Sequence, residues 1–355
     1  MRKIRTGRSG CAVISAAWVI LGIVGAISCS QSHDRAELSQ RASALFGTLP
    51  AEATSAANPV TEAKIQLGRR LFYDKRLSKN HDVSCNDCHV LSAFGVDGKP
   101  TSEGHRGQRG DRNSPTVFNA AFHIAQFWDG RAADVEEQAK GPPLNPIEMA
   151  MPSAEAVENV LQTIPAYEPL FRAAFPEESG PITYDQMARA IGAFERRLVT
   201  PSAFDQFQNG DLDAISRAEL EGFERFLSTG CVTCHNGPGL GGAMYQKIGL
   251  VNPYPTEDLG RHRVTGNEAD RYVFKVPSLR NVVKTAPYFH GGQVETVDRA
   301  VGLMAHHQLG LDLPESDVNT VMAFLGSLTG TIDMQYIAMP DLPPSGPSTP
   351  APDPT

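Results

Sequence analysis

Two five-residue stretches stand out for their chemistry, Cys85-Asn86-Asp87-Cys88-His89 and Cys231-Val232-Thr233-Cys234-His235. In Cys-x-x-Cys-His, two thiols can add across the two vinyl groups of a haem while the adjacent imidazole is held under the iron as its axial ligand. The three residues must therefore be close in sequence. A four-cysteine zinc site or a redox dithiol would use the same cysteines, but neither explains a His after each pair. The two motifs imply two covalently bound c-type haems. Of the six cysteines, Cys11 lies in an apolar leader and Cys29 at its end, so no pair remains for a structural disulfide. Each iron still has a sixth position. A Met there raises the potential, whereas an open or displaceable ligand makes a site that can bind peroxide.

The elements that must hold these groups are mainly helical. Residues Thr61–Tyr73, Ser153–Gln162, Tyr184–Leu198, Arg217–Leu227, Thr296–Met304 and Glu315–Leu328 carry apolar side chains at three-to-four spacing, and no segment sustains a two-residue alternation. Between them, Phe94–Pro115 and Asn236–Val276 are long and glycine-rich, as expected of loops that wrap a cofactor. Gly68-x-x-x-Phe72 precedes the first haem motif and Gly222-x-x-x-Phe226 the second. This is a weak internal repeat in which the Gly admits a close helix and the Phe packs beside it. The expected architecture is mainly α, with two cytochrome c-like haem domains at 61–200 and 201–332.

The first 28 residues carry Arg2, Lys3, Arg5 and Arg8, then an apolar run and no acidic residue, the layout of a secretory signal. The run ends Gly25-Ala26-Ile27-Ser28-Cys29, which resembles a bacterial lipoprotein cleavage site with Cys29 as the lipidated residue. An ordinary cleaved signal and an uncleaved anchor are the other readings, the latter short against the ~20 residues a span needs. Loss of the leader moves the net charge from −8 to about −12, which argues against nucleic acid as a partner. Residues 29–60 read as a tether with a helix near Glu37–Phe46, and 333–355 as a segment ending in a Pro-rich disordered tail from Pro340. The expected location is the periplasm, with a lipid tether if Cys29 is modified.

Around the haem motifs, Asn113-Ser114-Pro115-Thr116, Phe127-Trp128-Asp129-Gly130-Arg131 and Ala286-Pro287-Tyr288-Phe289-His290 resemble the bacterial diheme cytochrome c peroxidases, over about Leu67 to Leu328. The resemblance implies that the His89 haem is the low-potential peroxide site, with His105 as its removable distal ligand. It implies that Met304 is the distal ligand of the high-potential haem on His235, where His306 and His307 are rival ligands. Glu148 is implied as the proton-transferring group at the peroxide, Gln138 as a polar group orienting it, and Trp128 as the aromatic between the haems. Calcium is implied too, on the side chain of Asn113 and the carbonyls of Thr285 and Pro287. The partners implied are hydrogen peroxide, a small c-type cytochrome or copper protein as electron donor, and a second copy in a homodimer. The segment Phe94–Gly110 is the candidate gate. Two other functions are consistent with the haem motifs: a diheme oxidase like that of methylamine utilisation, in which a tyrosine replaces Met304, and a non-catalytic diheme electron carrier. No role for His290 is evident.

Overall fold

The computed structural model describes residues 34–355; the leader and Cys29 lie outside the described residues. Six of the helices expected from periodicity form, as Glu62–Tyr73, Ala154–Gln162, Tyr184–Glu195, Arg217–Thr229, Val297–Met304 and Glu315–Ser327. Their starts are chemically marked. Thr61 accepts from the Lys64 amide, and Thr183 with Gln186 and Ser216 with Glu219 form reciprocal caps. Gly230, at φ 95°, ends the Arg217–Thr229 helix and delivers the chain directly to Cys231.

Two helix pairs repeat the same packing. Gly68 lies against the backbone of Ala190, and Gly222 against that of Thr320, so closely that a Cβ at either position would strike a carbonyl oxygen. The paired phenylalanines follow: Phe72 packs edge-on to Phe194 with centroids 5.5 Å apart, and Phe226 meets Phe324 at 5.0 Å. Each pair anchors a separate apolar core. One is built on Leu67, Leu71, Phe72, Ile191 and Phe194, the other on Phe204, Phe207, Phe223, Phe226 and Phe324. Burying each such aromatic contributes roughly 1.5–3 kcal/mol.

The chain ends cross over. The helix at residues 34–46 inserts Leu38, Ala42 and Phe46 into the second core, so this part of the expected tether is a packed element. At the other end Ile337 joins the first core and Tyr336 stacks on Phe194 at 5.2 Å. The tail expected to be disordered instead lies along the first half. Thr349 Oγ1 donates to Thr163 O at 3.1 Å, the Asp353 amide to Lys79 O at 2.9 Å, and Lys79 Nζ to Thr355 O at 2.7 Å. It docks through backbone and charged groups, which an apolar-content argument does not register.

One short antiparallel ribbon, Tyr245–Lys247 with Val273–Lys275, also forms. It is too brief to show an alternation in sequence. Among the described residues no helix is long and apolar enough to cross a membrane.

Candidate functional site

Both cysteine motifs fold as a single turn. Ser84 and Asp87 bond reciprocally at its start, Asp87 Oδ2 accepting from the Ser84 amide at 2.8 Å, and the His89 amide donates to Cys85 O at 2.9 Å. The second motif repeats this with His235 to Cys231 O at 3.0 Å. No disulfide joins the four motif cysteines. Burial pushes the Cys88 and Cys231 thiols up to about 11 and holds the His235 imidazole down at about 4. His89 is shifted down by burial as well. Neutral imidazoles with an available lone pair are what an iron ligand requires.

Each motif forms one wall of a cavity. The first, of 460 Å³, is lined by Cys85, Cys88, His89, Trp128, Gln138 and Glu148. The second, of 250 Å³, is lined by Cys231, Cys234, His235, Trp128 and Met304. Trp128 therefore belongs to both, together with Asn113, Pro115, Thr116 and Phe127. Its indole N–H donates to Asn113 O at 2.9 Å.

Glu148 is presented by the Pro-rich turn after residue 141, where its carboxylate accepts from Asn145 Nδ2 at 2.8 Å. Burial raises its pKa, with Arg131 across the cavity pulling the other way. His105 is not among the residues lining this cavity. It is buried, its Nε2 lies 3.2 Å from Thr355 O, and its Nδ1 has no partner. Its backbone N–H donates to Glu148 O at 2.7 Å, and Gly104 is wedged against Ile147 and Glu148. The loop carrying His105 is thus clamped to the strip of backbone that carries Glu148.

On the second side Met304 ends its helix at a π-helical turn, Ala305–Leu309. Neither of the two neighbouring histidines lines this cavity, whereas Met304 does. His306 Nδ1 is 2.8 Å from Asp312 Oδ1, and His307 Nδ1 is 2.9 Å from Asn252 O. Asn113, Thr285 and Pro287 all line the second cavity. Asn113 commits its Nδ2 to Lys99 O at 3.0 Å, leaving the amide oxygen for another partner.

A second repeat, missed in the sequence, links the halves. Phe127-Trp128-Asp129-Gly130 and Phe289-His290-Gly291-Gly292 are the same tight loop, with φ of 66° at both phenylalanines and 66° and 65° at the closing glycines. Each is closed by an antiparallel bridge, Gln126 with Ala132 and Tyr288 with Val294. The loops face each other: Asn113 N donates to His290 O at 2.8 Å, and Lys275 N donates to Trp128 O at 2.8 Å. The Trp128 and His290 rings meet edge-on at 6.4 Å. The part-buried guanidinium of Arg112 joins Asp129 and Asp258, at 2.6 Å each, across the same junction. Phe and the closing Gly recur in both loops while the two residues between them differ, so the match is faint in the sequence and plain in the backbone.

Glu195 was missed as well. It stands one turn beyond Ile191 on its helix, lines the first cavity, and is pushed up to about 8 by burial.

Comparison with known proteins bears on these two cavities. Residues 62–213 match the family described as di-haem cytochrome c peroxidase. The chain is 47% identical over 322 residues to the cytochrome c551 peroxidase of Pseudomonas aeruginosa, covering 89% of this chain and 92% of that one. It is 46% identical over 308 residues to the cytochrome c551 peroxidase of Nitrosomonas europaea, covering 86% and 91%. The chain belongs to the di-haem cytochrome c peroxidase family.

The fold agrees. A crystal structure of a MauG-like protein associated with microbial copper homeostasis superimposes on this peroxidase with a TM-score of 0.71 and 30% identity, covering 82% of this chain and 96% of that one. The peroxidase is thus an oxidoreductase with two haem cofactors. Its residues fit them, since each cavity sets two cysteines outside any disulfide beside a buried imidazole, in a hollow that is mostly apolar on the second side and carries Glu148, Gln138 and Arg131 on the first. Among the described residues no cluster of three His, Cys, Asp or Glu suited to a metal occurs.

Proposed function

We propose that this peroxidase reduces hydrogen peroxide at the Cys85–Cys88–His89 haem, with electrons that enter from a small redox protein through the Cys231–Cys234–His235 haem. The supporting observation is that one cavity gathers a haem motif, Glu148 and Gln138, the other gathers a haem motif and Met304, and Trp128 lines both. Each bound haem, attached through its thioethers, supplies a redox-active iron. Reducing one peroxide to two waters takes two electrons and two protons.

Glu148 accepts a proton from the near peroxide oxygen and returns it to the far one, with Gln138 orienting the molecule by hydrogen bonding. Burial raises the Glu148 pKa, which strengthens it as a proton carrier relative to a solvated carboxylate. Trp128 shortens the path between the two sites. Met304 ligates on the high-potential side, consistent with its place in that cavity wall.

His105 is the displaceable ligand of the first site. Turned toward Thr355, outside the cavity lining, it leaves room for peroxide. Asn113, Thr285 and Pro287 hold calcium beside Trp128 and steady this arrangement. The enzyme is exported to the periplasm, where c-type cytochromes or copper proteins serve as donors. A tyrosine at the Met304 position would have favoured the oxidase reading.

Stopped-flow peroxide reduction, comparing the fully oxidised enzyme with enzyme reduced only at the high-potential haem, tests this. Fast turnover confined to the half-reduced form is the expected result. Turnover in both forms removes the gate, and turnover in neither removes the peroxidase reading.

A further inference from the structure

We propose that Lys275, backed by His123, anchors a propionate carboxylate of the haem carried by Cys231, Cys234 and His235 and helps set that haem's reduction potential. The inference rests on the reading of the second cavity as a haem site and adds the group that receives the cofactor's charged end.

Lys275 is 7% exposed and lies in the wall of the second cavity. It is the sole Lys or Arg among the lining residues, which include no Asp or Glu. Among the described residues its ammonium makes no ion pair; its one hydrogen-bonding neighbour is a nitrogen, His123 Nδ1 at 3.1 Å. The other ring nitrogen, His123 Nε2, is buried without a partner. An ammonium taken out of water with no anion beside it costs several kcal/mol, and natural proteins keep such a group only where a counter-charge arrives. Burial depresses both members, Lys275 to about 8 and His123 well below its ordinary value. Both shifts mark a site poor in negative charge.

Haem is apolar over most of its surface and carries two carboxylates at one edge. That pattern matches this cavity, whose lining is mostly apolar, with Lys275 its one cationic Lys or Arg side chain. The position of Lys275 is fixed by its ribbon pairing with Tyr245 and by its backbone bond to Trp128 O at 2.8 Å. The anchor would therefore lie beside Trp128, the aromatic that lines both cavities. In sequence the repeat aligns Lys275 with Asn113, and in the fold each donates its amide to the aromatic loop of the other half. A cation occurs in only one of the two equivalent positions, which suits a device that distinguishes the two haems.

A reduced haem is one unit more negative than an oxidised one, so a nearby ammonium favours reduction. The test uses holoprotein carrying Lys275→Met or Lys275→Arg, with haem counted by pyridine haemochrome before potentiometric titration. Lys275→Met should lower the reduction equilibrium of the high-potential haem about tenfold, equivalent to about 59 mV for one electron, and Lys275→Arg should restore most of it. An unchanged potential in Lys275→Met with two haems bound overturns the proposal. So does an equal fall in both variants, which would report a loosened cavity. Fewer than two haems per wild-type chain would instead strike the haem reading beneath it. If Lys275→Met does not mature, infrared redox-difference spectra of wild-type enzyme with ¹³C-labelled propionates serve in its place. A labelled carboxylate band shifted from that of solvated propionate supports the anchor, and an unshifted band overturns it.

Discussion

At the scale of the residue, Glu148 and Trp128 carry the clearest expectations. A proton-transferring carboxylate is worth about 10²- to 10⁴-fold in rate, so Glu148→Gln should lower peroxide turnover by that order with both haems retained, as read by steady-state kinetics and haem spectra. Glu148 must be ionised to accept a proton, and burial raises its pKa above the ordinary 4.5. Activity should therefore fall as pH drops through a value above 4.5, and this acid limb should vanish in Glu148→Gln. Trp128 tests a different step. Trp128→Phe keeps an aromatic ring but loses the indole bond to Asn113 O. Electron transfer between the haems, followed after flash or pulse reduction, should slow while haem content stays at two per chain.

At the scale of the element, the Gly-x-x-x-Phe repeat becomes a pair of close helix crossings. Ala at position 68 or 222 would place a methyl against a facing carbonyl. Such overpacking costs typically about 1–3 kcal/mol. Gly68→Ala and Gly222→Ala should each lower the denaturant midpoint, and an unchanged midpoint would show that the helices can separate without loss. Gly104 is a third contact of this kind, but it joins the His105 loop to the Glu148 turn, so a substitution there should disturb the gate more than the core. The periodicity of the helices was readable because each buries one face. The Phe127–Gly130 and Phe289–Gly292 loops were faint, since only Phe and the closing Gly recur, while the positive φ and the bridge that define the shared turn belong to the backbone.

At the scale of the whole molecule, the halves are stitched together by their own ends. The helix at residues 34–46 completes the second core, and the segment after Leu328 returns to the first. Along that return the tail reaches His105 through Thr355 O. One hydrogen bond is worth about 0.5–1.5 kcal/mol, enough to shift a two-state loop roughly 2- to 10-fold. A chain truncated after Met339 should show more His105-ligated, six-coordinate iron at the first haem in the half-reduced state, measured by optical or resonance Raman spectroscopy, and slower peroxide turnover. An identical spin-state distribution would mean that the tail does not bias the loop.

The sequence by itself determined what is covalent and periodic: two thiol pairs each followed by a His, helices with one apolar face, and an acidic chain unsuited to nucleic acid. Resemblance added Trp128, Gln138, Glu148, Met304 and Asn113, and all of them lie in cavity walls. Only the tertiary structure decided where His105 sits, that the Pro-rich tail is docked, and that Lys275 is buried opposite no acid. Those facts depend on which distant segments meet. Contacts made by backbone carbonyls, as at Thr355 and Trp128, are available to every residue type and so leave no mark in the sequence.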